Sequence, residues 1–275
     1  MVKLGEYNEL KVVKVRDFGI FVTDDEQEIL IPNGSLAGQK PEVDEVLNVF
    51  IYRDSEDRII GTLKKPYGTC FNVSYLQVVD ITPIGAFADI GVGRDVLIPL
   101  KEQLYKLEKG KKYLLYLYID KTGRLAASTD VEDYLETAEN YKIDEEVAAV
   151  VYGINENGTL KLAIDSKYKA LMLKNEYYEY VHMGEELKLR IRRIYEDGTL
   201  GLTTRKRKLD EREVLIEKIL KALNENGGSI PYNDKSNPDD IRREFNTSKN
   251  YFKMTLGALM KQGTIFQDEK GTHLK

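Results

Sequence analysis

The chain has no tryptophan, one cysteine and two histidines in 275 residues. A single Cys70 cannot form an internal disulfide, and it sits in the strand-like stretch TCFNV, where a reduced, half-buried thiol is expected. His182 and His273 stand far apart without nearby cysteines, so no metal-ligand spacing exists. Catalytic motifs are missing too. EKGKK lacks the spacing of a phosphate-binding glycine-lysine loop, no serine or cysteine nucleophile motif occurs, and the carboxylates are scattered through turns. No apolar run approaches the roughly 18 residues of a membrane span. The opening MVKLGEYNEL is too polar for a signal peptide, which points to the cytoplasm. These absences describe a binding protein rather than an enzyme, with no cofactor and no membrane contact.

A net positive charge is also missing. The net charge is −5, which excludes nucleic-acid binding by bulk charge alone. Its distribution is uneven: residues 1–139 carry −7, residues 140–208 carry +2, and the remaining tail is neutral. KLRIRRI (188–194) and RKRK (205–208) hold most of the positive charge of the middle part.

What the chain does contain is internal repetition. LKVVKVRDFGIFV…EILIPNGSL…VLNVFIYRDSEDRIIGTLKK is matched by LQVVDITPIGAFA…DVLIPLKEQL…YLLYLYIDKTGRLAAST, with Gly85 lying 66 residues after Gly19 and Pro99 67 after Pro32. A weaker third copy runs AAVVYGINENGTLKLAI…KALMLKNE…ELKLRIRRIYEDGTLGLTT, with Gly158 placed 73 residues after Gly85. Each copy shows five strand-like runs in the span of a small domain, too few residues for an open sheet but enough for a small barrel. The glycine between the first two strands suits a barrel corner. The fold expected is therefore multidomain and mainly β: OB-like barrels at 1–65, 66–139 and 140–208, and a different domain at 209–275.

That tail reads as three helices and a hairpin. REVLIEKILKALNENGG places Leu215, Ile219, Leu220 and Leu223 on one face, and SNPDDIRREF starts a second helix with Pro238 at its first position and Asp239 and Asp240 in its first turn. SKNYFKMTLGALMKQG is capped by Ser248 and ended by Gly263, with Phe252, Leu256, Leu259 and Met260 facing inward. TIFQDEKGTHLK closes as a hairpin. This order describes a small α+β winged helix.

The barrel pattern V-x-x-V-x-x-F-G-x-F-V, then L-I-P-x-x-S-L, then a strand leading to D-x-x-x-R-I-x-x-T, resembles the S1 domain, an RNA-binding OB-fold repeat. On that resemblance Phe18 and Phe21 take the family's two exposed aromatic positions, and Asp54 and Arg58 its acidic and basic pair. The second copy keeps Phe87, Asp120 and Arg124 but has Ile84 at the first aromatic position; the third has Asn157 and Leu160 at the aromatic positions and Leu200 in place of the arginine. Three S1-like barrels followed by a winged helix resemble the conserved virulence factor B family of bacterial RNA-binding regulators. The resemblance implies binding of single-stranded or unpaired RNA and post-transcriptional regulation. A winged-helix transcription regulator on duplex DNA, or a ribosome or ribonuclease accessory factor, are the alternatives.

Exposed phenylalanines can stack on unpaired bases, arginines can reach phosphates or stack, and the aspartates can orient those arginines. The bland alternatives are capping of the barrel and stabilisation of surface turns. Strand alternation places Arg190 and Arg192 on one face with Arg193 nearby, a stripe suited to a phosphate backbone or to pairing with the acidic EYYEY and GEE segments. Lys249, Asn250 and Lys253 near the start of the third helix would serve duplex recognition, which the tail's neutrality makes the less favoured role.

Overall fold

A computed structural model describes residues 1–177, 180–204 and 208–275, with side chains left undescribed at 208–211. The basic RKRK segment lies outside the described side chains. The chain divides into two compact units, Met1–Thr204 and Arg205–Lys275.

The first unit holds three closed five-stranded barrels. The first is β1 (Tyr7–Arg16), β2 (Gly19–Thr23), β3 (Glu28–Pro32), β4 (Val46–Arg53) and β5 (Ile59–Thr62), joined in the order β1-β2-β3-β5-β4. The second is β6 (Val73–Thr82), β7 (Gly85–Asp89), β8 (Asp95–Pro99), β9 (Lys112–Ile119) and β10 (Leu125–Ser128). The third is β11 (Glu146–Ile154), β12 (Leu160–Ile164), β13 (Tyr168–Met172), β14 (Glu186–Ile194) and β15 (Leu200–Thr203). All three share one connectivity, including a parallel pairing of the third and fifth strands. Alternation fills each barrel: Leu10, Val12, Ile20, Val22, Ile29, Ile31, Leu47, Val49 and Ile51 form the first core.

The hairpin that opens each of the first two barrels differs from the sequence expectation. The chain reverses at Asp17–Phe18, and Gly19 is the first residue of β2, paired with Arg16. Phe18 thus sits in the turn between β1 and β2, while Phe21 lies within β2. Gly19 is required by close approach, since a Cβ there would lie 2.3 Å from the Ile31 carbonyl oxygen; at Gly85 the distance to the Ile98 oxygen would be 2.2 Å.

The barrels dock on one another. In β4, Val49 and Ile51 face their own core while Phe50 and Tyr52 join the apolar cluster of the second barrel, and the Tyr52 hydroxyl donates to the Val92 carbonyl at 3.2 Å. Leu114 of β9 and Val150 and Tyr152 of β11 form a second interface, closed by Tyr75 donating to the Gly184 carbonyl at 2.6 Å. Cys70 lies in the link between the first two barrels, not in a strand. It is 2% exposed, its Sγ sits where a Cβ on Gly5 would go, and burial pushes the thiol up to about 12.

The second unit contains α1 (Lys208–Glu225), β16 (Ser229–Ile230), α2 (Pro238–Phe245), α3 (Lys249–Lys261), β17 (Ile265–Asp268) and β18 (Gly271–Leu274), a winged helix. Asn237 caps α2 and Ser248 caps α3. Two expectations change. Met260 is 41% exposed and Thr255 takes the buried position, while the short β16 adds a third strand beside β18. Among the described residues no helix is long and apolar enough to cross a membrane.

This packing can be probed at two points. Gly85→Ala should destabilise the protein by about 1 to 3 kcal/mol through steric conflict at the β8 backbone, while Gly34→Ala, with nothing within 4 Å of its Cβ, should melt like wild type. A thiol reagent at mildly alkaline pH should leave Cys70 unmodified in the native protein and titrate it fully in denaturant.

Candidate nucleic-acid interface

Strand register identifies the outward row that each barrel presents. Lys14, Phe21, Leu30 and Ile60 are successive neighbours across β1, β2, β3 and β5; their counterparts are Asp80, Phe87, Leu97 and Ala126, then Gly153, Lys161, Leu171 and Gly201. Directly paired residues share a face, so each row is one surface. The residue matching Phe21 in the third barrel is therefore Lys161, not Leu160, which is fully buried. The offset arises because Gly158 lies in the turn Asn155–Thr159 rather than opening a strand. Lys161 binds Glu132 at 2.5 Å.

In the first barrel Phe18 is 59% exposed and Phe21 half-buried. Their ring centroids are 6.0 Å apart at 89°, so they meet edge to face and form a corner rather than one flat platform. The neighbouring turn is self-contained. Asp54 Oδ1 accepts from the backbone N–H groups of Glu56 (2.8 Å) and Arg58 (3.0 Å), and its Oδ2 accepts from Arg58 Nε at 2.8 Å. Partial burial pushes the Asp54 carboxyl up, but Arg58 and these backbone donors prevail and hold it below the usual range.

The second barrel uses the same turn differently. Asp120 Oδ1 accepts from the backbone N–H groups of Thr122 and Arg124 and from the Thr122 hydroxyl, but the Arg124 guanidinium leaves its own barrel. It forks onto Asp57 of the first barrel, Nε reaching Oδ1 at 2.8 Å and Nη2 bonding Oδ2. Arg53 completes the seam by donating to the carbonyls of Gly123 (3.0 Å) and Asp57 (2.5 Å). Behind it lies a groove of about 290 Å³ whose lining includes Phe87, Leu97, Arg53, Arg94, Asp120 and Arg124. Three of the residues expected from sequence, Phe87, Asp120 and Arg124, are thus brought together; Arg53 was missed because a strand pattern does not reveal what a neighbouring barrel supplies, and Arg94 and Leu97 because they lie outside the quoted aromatic and acidic–basic pattern.

The arginine stripe of the third barrel is engaged internally. Arg190 pairs with Asp144, and Arg192 with Glu176, a carboxylate only 2% exposed that also accepts from Thr203 Oγ1 at 2.8 Å. A bulge after Ile191 breaks the alternation, and Arg193 stacks over the Tyr195 ring at 5.1 Å. Tyr195 occupies the place of Asp54 and Asp120, and Thr199, not Leu200, that of Arg58 and Arg124, as the matching turn hydrogen bonds show. In the winged helix, Lys253 lies 3.5 Å from Asp234 and Lys249 donates to the Lys235 carbonyl at 3.3 Å.

Comparison with known proteins agrees with this architecture. The S1 domain matches residues 4–64 and 72–130, and the CvfB-like winged helix domain matches residues 217–274. YitL of Bacillus subtilis is 32% identical, with 98% of this chain and 93% of that protein covered. Conserved virulence factor B of Staphylococcus epidermidis is 31% identical over 82% of this chain and 78% of its own length. A crystal structure of a multidomain protein with nucleic acid binding domains from Streptococcus pneumoniae superposes with a TM-score of 0.56 at 26% identity, covering 99% of this chain and 98% of that one. With S1 domains, the winged helix of this type and relatives above 30% identity along most of its length, the chain belongs to the conserved virulence factor B family.

Proposed function

We propose that this chain binds single-stranded or unpaired RNA across the outer faces of its first two barrels and regulates gene expression after transcription. The observation that carries this reading is the recurrence of an outward aromatic at the same register position, Phe21 and Phe87, in two barrels docked into one unit. Each aromatic neighbours a half-buried leucine, Leu30 or Leu97, and Phe87 shares its groove with the arginine-bearing turn of the second barrel. Such surfaces stack unpaired bases, with about 1 to 3 kcal/mol per ring and little sequence preference. A B-form duplex hides its base faces and is held mainly through phosphates, a poor match for a chain of net charge −5. The names of the relatives and of the pneumococcal structure, a virulence factor and a protein with nucleic acid binding domains, fit a regulator acting on nucleic acid.

The third barrel contributes differently on this reading. Lys161 stands where the aromatic would be, and Arg193 is layered on Tyr195 beside Gly201, so contact there runs to phosphates and to a stacked guanidinium. Arg190 and Arg192 hold the barrel together.

An unstructured RNA should bind more tightly than a duplex DNA of equal length at matched salt; equal or tighter duplex binding would move the function to the winged helix. Phe18→Ala and Phe87→Ala should each weaken RNA binding by about 1 to 3 kcal/mol. The exposed Phe18 should leave the melting temperature close to wild type, and a large loss of stability with affinity intact would place its ring in a structural role. Arg192→Ala removes the guanidinium partner of the buried Glu176 carboxylate and should cost about 1 to 2 kcal/mol of stability, discounted for the half-exposed arginine. Calorimetry beside a binding titration separates this from lost RNA contact, which predicts weaker binding at unchanged stability.

A further inference from the structure

Two guanidinium groups bond Asp57, and a third adds to the positive field around it. Arg124 forks onto its carboxylate from the second barrel, Arg53 holds its backbone carbonyl, and Arg94 lines the same groove and adds to the positive field around it. Arg94 makes no ion pair or hydrogen bond among the described residues. The groove that these cations border also carries Phe87 and Leu97. A carboxylate here occupies the place an external oxyanion would take, with the two-pronged geometry that guanidinium offers to carboxylate and phosphate alike.

Resting on the RNA reading above, we propose that the junction of the first two barrels is a phosphate subsite, filled in the free protein by the chain's own Asp57, and that a backbone phosphate of the bound RNA displaces this carboxylate from Arg124. The released Arg124 guanidinium and Arg94, which has no ion pair among the described residues, then clamp the phosphate beside the base stacked on Phe87. Arg124, with Arg53 and Arg94 behind it, holds the Asp57 carboxyl below its ordinary range, so at neutral pH it competes as an anion. The pair is solvent-exposed on both sides, 56% and 41%, so exchange for a phosphate costs little.

Releasing Asp57 leaves its surroundings intact. Its turn is fastened by Asp54, which binds the N–H groups of Glu56 and Arg58 without help from the Asp57 side chain. Docking of the barrels rests on Phe50 and Tyr52. Asp57 has φ +62°, a backbone region that asparagine and glycine tolerate well.

The test measures binding of a short fluorescent oligouridylate to the full chain over a range of salt, beside melting curves. Asp57→Asn and Asp57→Gly should each tighten binding by about two- to fivefold, the equivalent of an exposed ion pair no longer in competition. The salt dependence should steepen, by at most about 0.7 in log–log slope, because the site gains one net positive charge toward the same bound phosphate. Arg124→Gln should weaken binding, and adding Asp57→Asn to it should change nothing further. Unchanged or weaker binding by both Asp57 variants, or a fall of many degrees in both melting temperatures, would overturn the subsite and make Asp57 a structural strap. A wild-type chain that ignores oligouridylate would overturn the RNA reading itself, and the subsite with it; an RNA-binding wild type with insensitive Asp57 variants would overturn the subsite alone.

Discussion

The arrangement of the first unit depends on the burial of strands on both faces. β4, β9 and β11 each feed one barrel core with alternate side chains and send the others into a neighbouring barrel: Phe50 and Tyr52, Leu114, and Val150 and Tyr152. Burying an aromatic or large aliphatic side chain contributes about 1.5 to 3 kcal/mol. A few such residues per interface are enough to hold small barrels together. Committing these faces to docking also decides what remains for function: Phe21 and Leu30 in the first barrel and Phe87 and Leu97 in the second stay partly open, while Ile60 of β5 packs against the second barrel and Ala126 of β10 is buried.

The same docking explains why one repeated turn performs three tasks. In the first barrel the aspartate and arginine of the turn satisfy each other. In the second, the neighbouring barrel puts Asp57 within reach, and Arg124 spans the seam instead. In the third the aspartate position is Tyr195, which supports Arg193 from the adjacent strand. The backbone geometry of the turn is common to all three, set by matched hydrogen bonds from the backbone N–H groups of Asp54, Asp120 and Tyr195 to the carbonyls of Arg58, Arg124 and Thr199. What varies is the side-chain chemistry each turn offers at its barrel's edge.

Much of this was legible in the chain. Period-two alternation, the spacing of Gly19 and Gly85, and the capping residues of the tail specify three barrels and a winged helix, because each is a local rule that the tertiary structure obeys. Misreadings occurred where a local rule was overridden. Gly158 lies near the spacing of the repeat glycines but belongs to a turn, and so shifts the aromatic position by one residue from Leu160 to Lys161. For the arginine stripe, phosphate contact and pairing with the acidic EYYEY segment both stood open: Glu176 of that segment does pair with Arg192, while Asp144, 46 residues from Arg190, leaves no trace in strand periodicity. The docking of the barrels did have a trace in the chain: NVFIY, YLLYLY and AAVVY are continuous apolar runs, the signature of strands covered on both faces.

Fixing two aromatic sites in one docked unit also bears on affinity. A single stacked base gives modest free energy, and two sites on a loose tether must share a strand whose ends are held only at an effective concentration set by the linker. In this chain Phe50 and Tyr52, with Arg53 donating across the seam to the Gly123 carbonyl, set the spacing between the Phe21 and Phe87 faces before any ligand arrives. The ordering cost is then met during folding rather than binding, which is how preorganisation raises affinity without adding contacts. Modest stacking at each barrel and a small net negative charge are therefore compatible with useful binding, provided the strand follows the rigid unit. The Asp57–Arg124 pair, where the ligand's phosphate would compete, lies beside this docking face and is not part of it, so the exchange leaves the spacing unchanged.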